Sequence, residues 1–470
     1  MKLKFVLAIY VILLLLLLSA CGRGQITEAE PPASAYPADT ERDTALQVTE
    51  YPAVSDINNG TVPAESPETP RPTPGPLPLT DIFHSGNTRA EYLQDLDYLY
   101  EILKSNFPHI NALYRGRGVD LHELFANARH TLETANPNRN FNAILNSTIF
   151  SQVNWFGHMA ILDADAVRFR LALFSGEDNP NAPFVDVIDN PASRAFYRLN
   201  DADFQPQAQD EWMQEITAAQ QGNVSTRIIQ EGRIAYVRIL QMSVNTIEVD
   251  YAQLIDFYKS VADYDHLIID IRGNGGGSDG YFPALVMAPN INETLYYNQY
   301  LFFMAGDHNM RFLEPLMEIG WMQWVDIQPV HPELFNSLPY FHHEDRDILD
   351  YYIRITGQVT PSRDEGIFGG KIWLLIDGSN FSASGIAVEI AKETGFATLV
   401  GMPTGSSGMG INPTIIGLPN SGIIVQYQTL YSTNFTGRNS YEYGAEPHVR
   451  NFDGMDALET TLALIEQGGY

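Results

Sequence analysis

The chain has 470 residues, enough for two or three folded units. Hydrophobic residues make up 44% and charged residues 18%, a globular balance for most of the length. With 28 Lys and Arg against 57 Asp and Glu, the formal charge is −29, which argues against a nucleic-acid partner because a phosphate backbone would be repelled.

In chain order, Lys2 and Lys4 precede an apolar run from Phe5 to Leu18, followed by Ser19-Ala20-Cys21-Gly22. A basic start, an apolar core and small residues before a cut form a secretory signal, and the run is short for a membrane span. Leu18-Ser19-Ala20-Cys21 resembles a bacterial lipobox, whose cysteine is lipidated. Cys21 is also the only cysteine, so no intramolecular disulfide can form. These features predict a lipoprotein signal over 1–21 and a chain anchored to the extracytoplasmic face of a membrane through Cys21. Residues 22–79 are rich in Pro, Thr, Glu, Ala and Ser and predict a disordered tether, because they bury too little apolar surface to offset ordering entropy.

A helical N-terminal region is expected over 80–160. Thr88 and Glu91 have capping-box spacing, and Tyr92, Leu93, Leu96, Leu99, Tyr100 and Leu103 make one apolar stripe. Further helices are predicted over 121–133 and 141–153, with a strand over 159–162. Irregular strands and loops are expected from 163 to 225, with one short helix over 209–220. Then come a strand over 234–239, a helix over 249–261 and a strand over 266–272. That last strand runs into Gly273-Asn274-Gly275-Gly276-Gly277-Ser278, followed by a helix near 281–287. Strand, helix and strand in this order predict an α/β fold with a largely parallel sheet. Residues 290–368 read as an aromatic-rich insertion without a clear period. Tyr296, Tyr297, Tyr300, Phe302 and Phe303 there suit either a peptide groove or a core strand pair. Strands are expected over 397–400 and 422–428, and a closing helix over 455–466.

The informative stretch is Lys371 to Ile390. An apolar β-prone run, Ile372 to Ile376, meets the turn formers Asp377-Gly378-Ser379-Asn380, after which Ala383, Ile386, Ala387 and Ile390 recur at helical spacing. Ser382 falls at the junction. It is placed either to cap the helix or, as on a hydrolase elbow, to present a nucleophile where unpaired amides and the helix dipole favour negative charge. Three glycines after a buried strand permit close backbone approach, and they match neither phosphate-binding glycine pattern.

Leu267 to Gly277, Phe381-Ser382-Ala383-Ser384, and Gly401-Met402-Pro403-Thr404-Gly405 resemble the S41 peptidases, the tail-specific or carboxyl-terminal-processing family. Gly157-His158 and Tyr443-Gly444-Ala445-Glu446-Pro447-His448-Val449 resemble that family's upstream and closing segments. The resemblance spans most of residues 88–467. It implies a ClpP/crotonase-like core over 161–470, a peptide or protein substrate, no cofactor or metal, and an oxyanion hole from the amides of Gly276 and Ala383. No lysine follows Lys392, which lies ten residues along the helix from Ser382, about 15 Å of axial rise. The usual Ser–Lys dyad is therefore absent. The tricorn-like branch uses a histidine, and His158 is the matching position; Glu442, one position off the alignment, is the candidate to orient it. Phe156 and Gly385 replace an aspartate and a glutamate of the family pattern. A serine peptidase with Ser382 as nucleophile and His158 as base is expected, its rival being an inactive S41 fold that binds peptides or apolar ligands. His342 to Asp347 could group around a metal, but adjacent histidines diverge, and a solvated loop is the expectation.

Overall fold

A computed structural model of the chain describes Phe83, Gln214 and residues 86–175, 179–205, 222–405 and 410–468. The signal, the tether and nearly all of the helix expected over 209–220 lie outside these residues. The strands are β1 (Ala160–Ile161), β2 (Val224–Gln230), β3 (Ile234–Ile239), β4 (His266–Asp270), β5 (Leu295–Phe303), β6 (Ile327–Pro329), β7 (Tyr351–Val359), β8 (Lys371–Ile376), β9 (Thr398–Gly401), β10 (Thr414–Gly417), β11 (Ile424–Tyr427), β12 (Tyr431–Asn434) and β13 (Val449–Arg450).

The central sheet has six strands in the order β13-β9-β8-β4-β3-β2, parallel throughout except for the antiparallel β2–β3 edge. Its middle strands carry uninterrupted apolar runs because both faces are covered. On one face, Ile268, Trp373 and Leu375 pack with the closing helix Ala457–Glu466. On the other, Leu267, Ile269, Leu374 and Ile376 pack with the helices Ile247–Ser260 and Ala383–Glu393. The fold is thus the α/β type with a largely parallel sheet and a helical region before it.

That helical region opens with Arg89–Asn106, where Thr88 and Glu91 form the capping box read from the sequence. The Thr88 backbone N–H, and then its hydroxyl, hold the Glu91 carboxyl below its usual range. The helix Leu121–Thr134 is capped by Asp120, and 141–153 is helical with a π-type turn at Asn146–Phe150. An additional helix, Ile110–Arg117, lies between them. The expectation of strands and loops after 163 is corrected: Ala164–Phe174, Ala182–Ile188 and Pro191–Tyr197 are helices. Val167, Leu171, Phe174, Phe184, Val187 and Ile188 join their buried faces to Ile415 and Ile424. The segments are short and begin after Asp163, Asn181 and Asn190, so each offers only one or two apolar repeats.

The insertion is ordered as well. β5 and β7 pair antiparallel over nine positions, from Leu295–Val359 to Phe303–Tyr351, and β6 and β12 extend them to a four-stranded sheet. Tyr297, Tyr300, Phe302 and Phe303 are buried strand residues, and Tyr296 is exposed. Both faces of β5 are covered toward its end, which hides the alternation expected of a strand.

At the carboxyl end of β4, Asp270 is fully buried and gathers Tyr236 Oη at 2.7 Å, Arg238 Nη1 at 3.1 Å and Arg272 Nη2 at 2.7 Å. Burial pushes its carboxyl up, but the Arg272 and Tyr236 hydrogen bonds outweigh it and leave it below the usual range. Asp270→Ala would leave two guanidinium groups without their shared partner. It is expected to cost about 3 kcal/mol of unfolding free energy, read from urea denaturation.

Candidate active site

Parallel pairing sets Asp270 of β4 beside Leu375 of β8, so the glycine loop and the serine turn leave adjacent strands at the same edge of the sheet. This is where ligands bind in parallel α/β sheets. Side chains then lock the two loops together. Asn380 accepts from the Asp377 amide at 2.8 Å and donates to Ile271 O at 2.6 Å. The Ser384 hydroxyl donates to Asn274 O at 2.6 Å and accepts from the Phe381 amide at 3.0 Å. Asn380, Ser384 and Asn274 are fully buried.

Ser382 adopts φ 55°, ψ −127°, a backbone conformation costing a non-glycine residue about 1–3 kcal/mol. Its side chain makes no capping hydrogen bond, so the N-cap alternative does not hold. The residue is partly exposed, while Ala383 behind it is buried. The Ala383 amide opens the helix, where N–H groups have no intrahelical acceptor.

Gly276, at φ +101°, backs directly onto this turn. A Cβ there would stand 2.6 Å from Phe381 O, 2.8 Å from Ala383 N and 3.0 Å from Ser382 Cβ. Its own N–H, expected to face an oxyanion, donates instead to Asn274 Oδ1 at 2.9 Å. Gly276 therefore supplies close approach, and of the two expected donors the Ala383 amide, in the first turn of its helix, is the remaining candidate.

His158 is brought to the same place from the helical region. Its ring centroid lies 4.5 Å from that of Phe381, the neighbour of Ser382. The segment before it turns in the left-handed region at Asn154 (φ 45°), Trp155 (64°), Gly157 (56°) and His158 itself (58°). Of the five non-glycine residues with positive φ among the described residues, four thus belong to the His158 or Ser382 segments. Such conformations persist only where surrounding contacts impose them, and they concentrate at functional sites. Here Gln428 N donates to Gly157 O at 2.7 Å, and Ala160 pairs with Gln426 across β1 and β11. Burial, then the nearby Arg170 cation, pushes the His158 imidazole down to about 3.

Glu442, expected to orient His158, is placed elsewhere. Its carboxylate takes Arg115 Nε at 3.1 Å and Nη2 at 2.9 Å, and Arg115 also binds the fully buried Asp345 at 2.6 Å. Asp345 accepts from Tyr431 Oη as well, so within 342–347 this one carboxylate belongs to an interior ion cluster, while His343, Glu344 and Asp347 are exposed as a solvated loop would be. The group that does approach His158 Nδ1 is Tyr441 Oη, at 3.4 Å. The four lysines of the described residues are directed away from Ser382. Lys392 Nζ donates to Glu446 O, Lys371 starts β8 over the Trp373 ring, and Lys104 and Lys259 pair with Glu101 and Asp256 on their own helices.

Sequence reasoning missed Asn274, Asn380, Ser384 and Tyr441. The first three sit inside motifs read for their glycines and serine, so their residue types were visible but their role as fasteners was not. Tyr441 gave no signal, being one of 24 tyrosines.

The sequence model of Peptidase family S41 matches residues 233–451, which include the glycine loop and the serine turn but not His158. Among solved structures the chain is similar to a putative peptidase from Parabacteroides merdae, at 16% identity over 81% of this chain and 97% of that one, with a TM-score of 0.47. It is also similar to mature CPAF complexed with lactacystin (14%, 81% and 97%, TM-score 0.49) and to the photosystem II D1 C-terminal processing protease (13%, 80% and 97%, TM-score 0.37). Comparison with curated proteins gave no match.

The contact between Gly276 and the serine turn is backbone on backbone, so little can give way. Gly276→Ala is expected to lower the reaction of Ser382 with a serine-directed fluorophosphonate by roughly 100-fold or more, comparable to losing an oxyanion donor. Gly275→Ala, where a Cβ would meet open space, is expected to leave labelling within a few-fold of wild type.

Proposed function

Because residues 233–451 belong to peptidase family S41 and the chain is accordingly a serine-type peptidase, we propose that Ser382 is its nucleophile and His158 its base. The observation that carries this reading is the packing of the His158 ring on Phe381, which sets an imidazole from a distant part of the chain near Ser382, the one serine with a positive φ among the described residues. Ser382 Oγ attacks the carbonyl carbon of a peptide bond as His158 takes its proton. The Ala383 amide, at the positive end of its helix, donates to the carbonyl oxygen as that oxygen gains charge. The proton then passes to the leaving amine, and a water activated by the same imidazole clears the acyl-enzyme.

The substrate is a peptide or protein outside the cytoplasm. The signal-like start and the single cysteine at its end support a lipid anchor at Cys21, with residues 22–79 as the tether. Among the described residues no helix is long and apolar enough to cross a membrane.

Two measurements test this. Ser382→Ala is expected to abolish both peptide hydrolysis and fluorophosphonate labelling while leaving the thermal unfolding temperature near wild type; full labelling of that variant would discard Ser382. The second is the pH profile. A base with a lowered pKa stays neutral, and so competent, to lower pH than an ordinary histidine. Since burial and Arg170 hold His158 near 3, the acid limb of kcat/KM is expected below pH 5. A limb at the ordinary histidine value, about 6.5, would mean that a different group titrates.

A further inference from the structure

The carboxylate expected to orient the base is engaged elsewhere, since Glu442 is occupied by Arg115, and among the described residues no other carboxylate is hydrogen-bonded to His158. An imidazole acting through Nε2 needs its proton on Nδ1, and some acceptor must hold it there. The structure offers one group in that position. Tyr441 Oη lies 3.4 Å from His158 Nδ1, both residues are buried, and the two rings meet edge to face with centroids 5.8 Å apart.

Resting on the reading above, we propose that the Tyr441 hydroxyl is the positioning group for His158, accepting its Nδ1–H and so fixing the tautomer that leaves Nε2 free toward Ser382. The ring of Tyr441 is held for this by a second buried histidine, His109, whose centroid is 4.5 Å away in an edge-on contact. His109 is itself tied down through Nε2 to Leu430 O at 3.2 Å and stacks on Tyr431. The hydroxyl must also point the right way, with its lone pair rather than its proton toward His158. The Glu389 carboxylate, on the helix that begins after Ser382, acts electrostatically on the Tyr441 phenol and favours its keeping the proton. The Gln428 amide lies against the same hydroxyl, its orientation set by Nε2 donating to Ile411 O and Oε1 accepting from Leu430 N. Gln428 also holds Gly157 O through its backbone amide, so one residue steadies both the base's loop and the base's partner.

A neutral oxygen differs from a carboxylate in a way that can be measured. It fixes orientation without adding a negative charge beside the imidazolium that forms during reaction. Burial and Arg170 therefore act on His158 without a compensating anion in contact with it.

The test uses Tyr441→Phe, which keeps the ring and its packing on His109 and removes only the oxygen. In the full chain, kcat for peptide hydrolysis is expected to fall roughly 10- to 100-fold with KM unchanged, the usual effect of removing a group that orients a functional histidine. In a His158→Ala background the same substitution is expected to have no further effect on residual labelling, whereas a merely structural role would lower both backgrounds alike. A third readout needs no activity. With ¹⁵N-labelled histidine, the His158 resonances, identified by their loss in His158→Ala, should report Nδ1–H in the wild type and a tautomer mixture in Tyr441→Phe. Unchanged kcat together with an unchanged tautomer would overturn the proposal, and so would a wild-type His158 protonated at Nε2. If the wild type shows no Ser382-dependent labelling, the catalytic reading fails, and the tautomer measurement alone decides the role of Tyr441.

Discussion

Two backbones meet at Gly276 and Ser382 with no room for a side chain between them, and the site follows from that contact. A Cβ on Gly276 would fall inside the van der Waals envelope of Phe381 O and Ala383 N. The loop and the turn can approach so closely only because parallel β4 and β8 deliver them at the same level of the sheet. The helix after Ser382 then points its first amides along the same edge. Asn380 and Ser384 add side-chain donors to Ile271 O and Asn274 O, which also accept the backbone N–H groups of Asn274 and Phe381. A hydrogen bond of this kind contributes about 0.5–1.5 kcal/mol, so the two side chains fasten a geometry that the glycine permits.

The contribution from the other side is of a different kind. His158 arrives on a segment with four left-handed residues, held by β11 and by Gln428 rather than by regular structure of its own. Arg115 joins the helical region to Asp345 of the insertion and Glu442 near the end of the chain. Two buried carboxylates around one guanidinium make that junction dependent on all three segments at once, because removing any member strands a charge in the interior.

These differences explain what could be read from sequence. β4, β8 and the helix after Ser382 announce themselves because each is a long apolar run or a periodic stripe bounded by turn residues. The capping box at Thr88 and Glu91 was legible for the same reason, its signal being local. The three helices between 164 and 197 were not, since each is too short for periodicity to emerge and owes its stability to packing on β10 and β11. Ser382 stood out at the strand-to-helix junction, where a cap and a nucleophile read alike, but His158 could be singled out only through a resemblance, and spacing gave no reason to prefer it over His109, a second buried imidazole one ring away. The displacement of the expected orienting group from Glu442 to Tyr441 is a matter of one position in sequence. On the short helix Ser440–Tyr443, that one position turns a side chain from the Arg115 cluster toward the imidazole. No periodic pattern spans so short an element.

The ion cluster around Arg115 also bears on when the site comes into being. Loop closure over more than two hundred residues separates His158 from Ser382, and contacts so remote in sequence are generally among the last to form. Glu442, Tyr441 and the strand β11 that braces His158 all come from the final tenth of the chain. A nascent polypeptide that has not yet released these residues therefore carries Ser382 without the strand that braces His158 beside it. On the reading proposed above, Ser382 would gain its base only once residues 424–442 have folded back, so the order of folding would itself set when the site assembles.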